Sequence, residues 1–167
     1  MSPAWLGRAL YRIRAGEKKL AYNRPSFESV PETLKLSSTD FTDGAPIPRQ
    51  FAGRGVGQNV SPSLSWSHVP AESVQLVLII EDSDVPLPRP FAHLLAYGIA
   101  PQRTGFERGE LSNAADYKLG RNTFGPNGYA GPRALVGHGL HHYHFQLFAL
   151  SEHVEWKDCA RLSDLLS

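Results

Sequence analysis

Apolar positions along the chain follow two regimes. Near the start, Trp5, Leu6, Ala9, Leu10, Ile13 and Leu20 recur at helical spacing with basic residues mostly on the other side. That pattern predicts a short basic amphipathic helix. Asn23-Arg24-Pro25 and Val30-Pro31 break it, because proline lacks the amide proton and disfavours helix before it. Residues 21–33 therefore read as a linker or extended strap. The expected organisation is an arm at 1–33 and a domain at 34–167. From Leu34 onward the apolar runs are short and punctuated by Gly and Pro. Leu34 and Leu36 alternate with polar residues, and Ser63 to Trp66 is another short strand candidate. Val74 to Glu81 is almost wholly aliphatic, as suits a strand buried on both faces. Phe91 to Ile99 and Tyr143 to Leu150 follow, with a long loop between Pro101 and Gly131. A second helix is expected only near residues 155–166. Several strands between turn-rich loops predict a mainly β sandwich or small barrel.

Composition narrows this picture. The 167 residues are 41% hydrophobic and 20% charged, which fits one folded domain and excludes a disordered chain. The longest aliphatic run, Leu76 to Ile80, is far short of the roughly 20 residues that span a bilayer. The single cysteine, Cys159, leaves neither an internal disulfide nor a thiolate-cluster zinc site. Charge is uneven. Residues 1–24 hold Arg8, Arg12, Arg14, Lys18, Lys19 and Arg24 against Glu17, a net +5, so the remainder carries −4 within the total of +1. A mildly acidic body without a basic stripe excludes nucleic acid as a partner. The arm either contacts an anionic membrane surface or a partner, or packs its apolar stripe on its own domain or on a second copy. Its apolar residues are interrupted by arginines, unlike a secretory leader. With the lone cysteine, this places the expected location in the cytoplasm.

Three groups carry candidate chemistry. Glu81-Asp82-Ser83-Asp84-Val85-Pro86 lies where the most apolar strand ends. Three acids within four residues repel one another, so at least one needs a hydrogen bond, a cation or a raised pKa. The alternative is a solvated turn capped by Asp. His93 sits inside the apolar run Phe91-Ala-His-Leu-Leu-Ala-Tyr, either as a hydrogen-bonded core residue or as a site residue. Four of the seven histidines fall between 138 and 144. On a strand, His141, Tyr143 and Phe145 would share one face, and His142 and His144 the other. Imidazole and phenol on one face, with His93 and an acid to hold ring tautomers, would suit a small anion. The second face is either exposed or a two-ligand fragment of a metal site, and no metal or cofactor is expected. Gly53-Arg-Gly-Val-Gly lacks the Gly-Lys-Ser/Thr of a phosphate-binding loop. Neither a G-x-S-x-G elbow nor an H-E-x-x-H pair occurs.

Taken in order, Asn59-Val-Ser-Pro-Ser-Leu-Ser-Trp66, Asp82-Ser-Asp-Val-Pro86, Phe91-Ala-His93, Arg121-Asn-Thr-Phe-Gly125, Gly128-Tyr-Ala-Gly-Pro132 and Gly137-His-Gly-Leu-His141-His-Tyr143 resemble the phosphatidylethanolamine-binding protein family. That family includes the Raf kinase inhibitor proteins and bacterial relatives. The resemblance runs from about Leu36 to Leu150. It implies a β-sandwich of two antiparallel sheets with a small, partly exposed anion pocket. It implies ligand-lining roles for Asp82, His93, His141 and Tyr143, an aromatic wall at Phe91, and backbone presented to the ligand by Gly131, Pro132 and Arg133. Trp66, Asp84 and Pro86 match positions that support the core and the loop. The implied ligands are phosphate-like groups, including phospholipid head groups. A carboxylate beside an anion costs about 4 kcal/mol at 4 Å and an effective dielectric near 20, so Asp82 is expected to face a histidine or a cation.

Three departures bear on this. Ser83 stands where the family usually has proline. Ala134-Leu135 stands where a Pro-Pro pair is common. The sequence ends at Ser167, before the helix and last strand usual in the family. An uncovered edge or groove favours self-association, so either a homodimer or cover by the arm is expected. The leading functional expectation is non-enzymatic binding of a small anionic ligand, with a regulatory role towards a protein partner as an extension. The alternatives are an acid–base enzyme using the same pocket and a membrane-surface adaptor acting through the arm.

Overall fold

The computed structural model describes residues 3–114, 116–156 and 160–165. A helix α1 (Ala4–Leu10) is followed by three short 3-10 turns. Then come β1 (Lys35–Ser37), β2 (Leu64–Ser67), β3 (Gln75–Asp82), β4 (Phe91–Ile99), β5 (Gly105–Phe106), β6 (Lys118–Leu119) and β7 (Tyr143–Leu150), and a final turn of helix α2 (Leu162–Leu165). The strands form two antiparallel sheets, one in the order β1-β2-β5 and one in the order β6-β4-β3-β7. The mainly β architecture of two antiparallel sheets is therefore as expected. The stretch expected as one long loop after Pro101 contains β5 and β6. Among the described residues the C-terminal helix spans Leu162–Leu165, and Cys159 lies outside them.

β3 is buried along its whole length. Side chains alternate along a strand, so Leu76, Leu78 and Ile80 join Leu64, Trp66, Leu94 and Phe106 in one core. Val77 and Ile79 point the other way and pack with Leu95 and Tyr97 beneath Ala21 and Ala160. Trp66 packs edge-on against Phe106, 5.3 Å between ring centroids.

The register carries one irregularity that matters for function. Ile80 pairs with Leu94, but Glu81 pairs with Ala92. His93 is the extra residue of a β-bulge, a feature that re-aims a side chain out of the regular pleat.

The N-terminal segment differs from the expected amphipathic stripe. Helix α1 ends at Leu10, and Trp5 and Ile13 are exposed rather than packed. The buried residue of the helix is Gly7, whose backbone lies so close to Val136 and His138 that a Cβ would stand 2.1 Å from the Val136 carbonyl oxygen. No stripe of large side chains could make that approach. Beyond the helix the chain runs as a strap. Ala15 and Gly16 amides donate to the Val85 and Ser83 carbonyls, both at 2.9 Å. Leu20 is fully buried, which contributes about 2 kcal/mol to holding the strap down.

Candidate functional site

At the ends of three adjacent strands the register sets Phe91 opposite Asp82 and Asp82 opposite Tyr143. Cross-strand neighbours on one face touch, so three distant segments converge there by pairing alone. The bulge turns His93 into the same group, its ring edge-on to Tyr143 at 5.1 Å. His141, two residues before Tyr143, reaches Asp82: Nδ1 lies 2.7 Å from Oδ2. The Asp82 Oδ1 atom accepts the Asp84 amide at 2.8 Å, so the carboxylate is held from both sides.

Each ring has a definite role. The Nδ1–H of His93 donates to the Ala130 carbonyl at 2.5 Å, and the Ala130 amide returns a bond to the His93 carbonyl at 2.8 Å. Burial holds the His93 pKa below the usual histidine value, outweighing the help of the Ala130 carbonyl and Asp82. A neutral ring with a proton on Nδ1 presents a lone pair at Nε2. The Tyr143 hydroxyl is shielded from solvent and completes no hydrogen bond among the described residues, although Asp82 and the Arg133 backbone lie nearby. Burial first, then the Asp82 charge, raises the Tyr143 pKa, so it remains a phenol with a proton to give. His93, Asp82 and the His141 side chain are each about 2% exposed. Phe124 packs edge-on against both His93 and Phe91, at 5.3 and 5.4 Å, while remaining 48% exposed itself. Where a partly open hollow was expected, the group lies closed beneath a phenylalanine that reaches solvent.

Further contacts hold the loop after β3. Asp84 accepts from Arg14 at 2.6 Å and from both the backbone amide and Nδ1 of His142 at 2.7 Å. Burial pushes the Asp84 pKa up, but the His142 and Arg14 donors outweigh it and hold the carboxyl below its usual range. Ser83 uses the amide proton that a proline would lack, donating to the His142 carbonyl at 3.4 Å, and its Oγ lies 3.0 Å from His144 Nε2. Burial lowers the His144 pKa, which leaves a neutral ring able to accept from that hydroxyl. The face of His142 and His144 is thus engaged by Asp84, Ser83 and Tyr22. Among the described residues no group of three metal-binding side chains forms.

The remaining expected residues fall around this centre. The Gly131 amide donates to Asn59 Oδ1 at 2.8 Å, and the Pro132 carbonyl accepts the Gly53 amide at 3.0 Å. A Cβ at Gly131 would stand 2.1 Å from the Phe51 carbonyl oxygen, so glycine is required there. Arg133 is exposed, and Pro86 is half-buried at the far end of the acidic turn. The Trp66 indole is in the core, away from the group.

Sequence reasoning missed two participants. His138 is fully buried. Its Nδ1 lies 2.8 Å from His141 Nε2, and its Nε2 faces the Leu10 and Ile13 carbonyls at 2.9 and 3.1 Å. Arg14 also bonds the Leu140 and His138 carbonyls, at 3.0 and 3.3 Å. The spacing of His138 and His141 was visible, but nothing along the chain indicated that the arm would fold back onto them.

Comparison with known proteins gives a consistent result. The family model described as "Phosphatidylethanolamine-binding protein" matches residues 37–166. A UPF0098 protein of Aquifex aeolicus is 33% identical over 134 residues, 79% of this chain and 77% of that protein. A putative lipoprotein, LppC, of Mycobacterium tuberculosis is 39% identical over 119 residues, 71% of this chain but only 56% of its own length. Among solved structures, a putative phosphatidylethanolamine-binding protein homologue from Chlamydia trachomatis superposes with a TM-score of 0.72 at 31% identity, covering 81% of this chain and 87% of that one. Escherichia coli YbcL shares the fold at a TM-score of 0.73 and 24% identity, covering 80% and 87%. Among the described residues no helix is long and apolar enough to cross a membrane.

Proposed function

The chain belongs to the phosphatidylethanolamine-binding protein family, and from that premise we propose that the group around Asp82, His93, His141 and Tyr143 binds a phosphate-like oxyanion without turning it over. The observation that carries this is the buried Tyr143 hydroxyl, which completes no well-formed hydrogen bond although Asp82 and the Arg133 backbone lie beside it. Leaving such a group unsatisfied costs about 1–3 kcal/mol, and a ligand oxygen repays it. The singly protonated form of a phosphate group, populated at weakly acid pH, carries both a protonated and an unprotonated oxygen. The unprotonated oxygen accepts from Tyr143, and the protonated one donates to the lone pair at His93 Nε2. Asp82 is turned to His141, which keeps its charge occupied rather than facing the ligand. Phe91 and Phe124 wall the group, and the Phe124 ring must swing aside for entry.

An enzymatic role has weaker support. The Ser83–His144 pair has nucleophile–base geometry, but Ser83 is buried and its carbonyl is capped by Gly16. The relatives named above carry no enzymatic name.

Titration with inorganic phosphate, followed by the side-chain NMR signals of His93 and Tyr143, tests the binding. Affinity should fall as pH rises from weakly acid to alkaline, because the ligand loses the proton it donates to His93 Nε2. A flat profile from about pH 5 to 8.5 would overturn it.

A further inference from the structure

We infer that the outer face of α1, together with the 136–140 loop, docks on an anionic lipid bilayer. The face is built from two segments locked together by backbone contact. Gly7 lies against Val136 and His138, Gly137 against the Ala4 carbonyl, and Gly139 against the Tyr11 ring. That contact makes a rigid platform of side chains that would otherwise belong to a short helix and a loose loop. From it large apolar groups project into solvent: Leu140 is 83% exposed, Trp5 67% and Val136 52%, with Tyr11 and Ile13 also more than half exposed. Contiguous exposed apolar groups on a folded domain mark an interaction surface.

Charge decides the kind of partner. Arg8 and Arg12, with Tyr11 and Gly137, border a cavity of about 310 Å³ on the same face. Neither arginine has an ion pair among the described residues. Residues 1–16 contain no acid. Arginine presents a planar fork that matches a phosphate group, while tryptophan and tyrosine favour the depth of lipid head groups. Aliphatic Leu140 and Val136 gain by entering the acyl boundary. Against a nucleic-acid backbone those aliphatic groups would have nothing to bury into. Two copies meeting through this face would set arginines against arginines, as a two-fold interface makes each patch contact itself. A bilayer bearing phosphate head groups satisfies both the apolar and the cationic parts.

Co-sedimentation of the full chain with phosphatidylcholine vesicles, with and without phosphatidylglycerol, is the test. The chain should bind the anionic vesicles and leave the neutral ones. The double variant Arg8→Gln/Arg12→Gln should weaken binding about thirtyfold. Trp5→Ser/Leu140→Ser should weaken it at least about tenfold. The four side chains are on the surface, and thermal unfolding should confirm that both variants stay folded. Inorganic phosphate titration of the variants should remain as in the parent chain, which separates this face from the buried group. Equal binding to neutral vesicles, or variants that bind as the parent does, would overturn the inference. So would vesicle binding abolished by inorganic phosphate but not by sodium chloride at equal ionic strength, or a dimer in light scattering that Trp5→Ser/Leu140→Ser converts to monomer.

Discussion

His138 Nδ1 stands 2.8 Å from His141 Nε2, and a hydrogen must lie between them. The outer ends of this chain are acceptors: the Asp82 carboxylate beyond His141, and the Leu10 and Ile13 carbonyls beyond His138. The far end of this chain is the N-terminal strap, so the strap and the site are one hydrogen-bonded unit. A scalar coupling between the 15N nuclei of His138 Nδ1 and His141 Nε2 should be observed across this bond. Replacement His138→Ala should cost about 3 kcal/mol through the orphaned buried partners and strip hydrogen-exchange protection from the Ala15 and Gly16 amides. Unchanged protection there would refute the linkage.

Arg14 is the ionic counterpart of that link. It bonds Asp84 and two carbonyls of the 138–140 segment, and neither partner of the ion pair is fully exposed. Arg14→Gln should destabilise the protein by about 2 kcal/mol, the range for hydrogen bonds to charged groups. The loss should shrink at low pH. Asp84 has a lowered pKa, so its contribution is present above the ordinary Asp value of 3.8 and fades as pH falls through the folded value. Chemical denaturation of parent and variant across acid pH checks the convergence.

Glu81 behaves in the opposite sense. It is buried in β3 and accepts the Ala21 amide and the Gln146 side-chain amide at 2.8 and 2.9 Å. Burial raises its pKa, outweighing the lowering by Gln146, Ala21 and the Arg24 charge. Its favourable contribution is therefore full below the ordinary Glu value of 4.5 and is lost as pH rises through the folded value. Glu81→Gln removes the charge and keeps an acceptor. The variant should be at least as stable as the parent near neutral pH and show a flatter rise on acidification. Thermal unfolding from weakly acid to neutral pH measures this, and a steeper neutral loss in the variant would contradict it.

Tyr143→Phe separates stability from binding. The hydroxyl is buried and completes no well-formed hydrogen bond among the described residues, so its removal should leave stability unchanged or raise it by about 1 kcal/mol. Phosphate affinity should fall by about tenfold. A clear loss of stability would mean that the hydroxyl is satisfied in the folded chain.

Phe124→Ala tests the closed state. Phe124 packs on His93 and Phe91 at the solvent side. Removing it should speed phosphate exchange and expose His93 to modification by diethylpyrocarbonate, with the inward core unchanged. A His93 no more reactive than in the parent would assign its shielding to other residues.

Much of this was legible along the chain. The unbroken aliphatic run from Leu76 to Ile80 dictates a strand covered on both faces, because one solvated face would leave alternate aliphatics in water. The order of motifs from Asn59 to Tyr143 placed the family, and the family brought the two sheets. The alternation of His141 and Tyr143 put imidazole and phenol on one face, as any extended backbone must. The arm was read less well. Trp5, Leu6, Ala9, Leu10 and Ile13 have helical spacing, but helical period shows which residues share a face and not whether a partner covers it. The partner was the backbone at 136–138, and its approach selected Gly7, a residue that no hydrophobic pattern marks.

Strand identity, the acidic turn and the types of chemistry available were thus set by local sequence, since side-chain period and backbone propensity act over a few residues. Convergence of Asp82, His93, His141 and Tyr143, the bulge that re-aims His93, and the seating of Leu10 and Ile13 on His138 were decided by tertiary packing. Those contacts join residues up to 128 positions apart. Their hydrogen bonding and burial depend on which groups arrive together, and that is a property of the assembled fold.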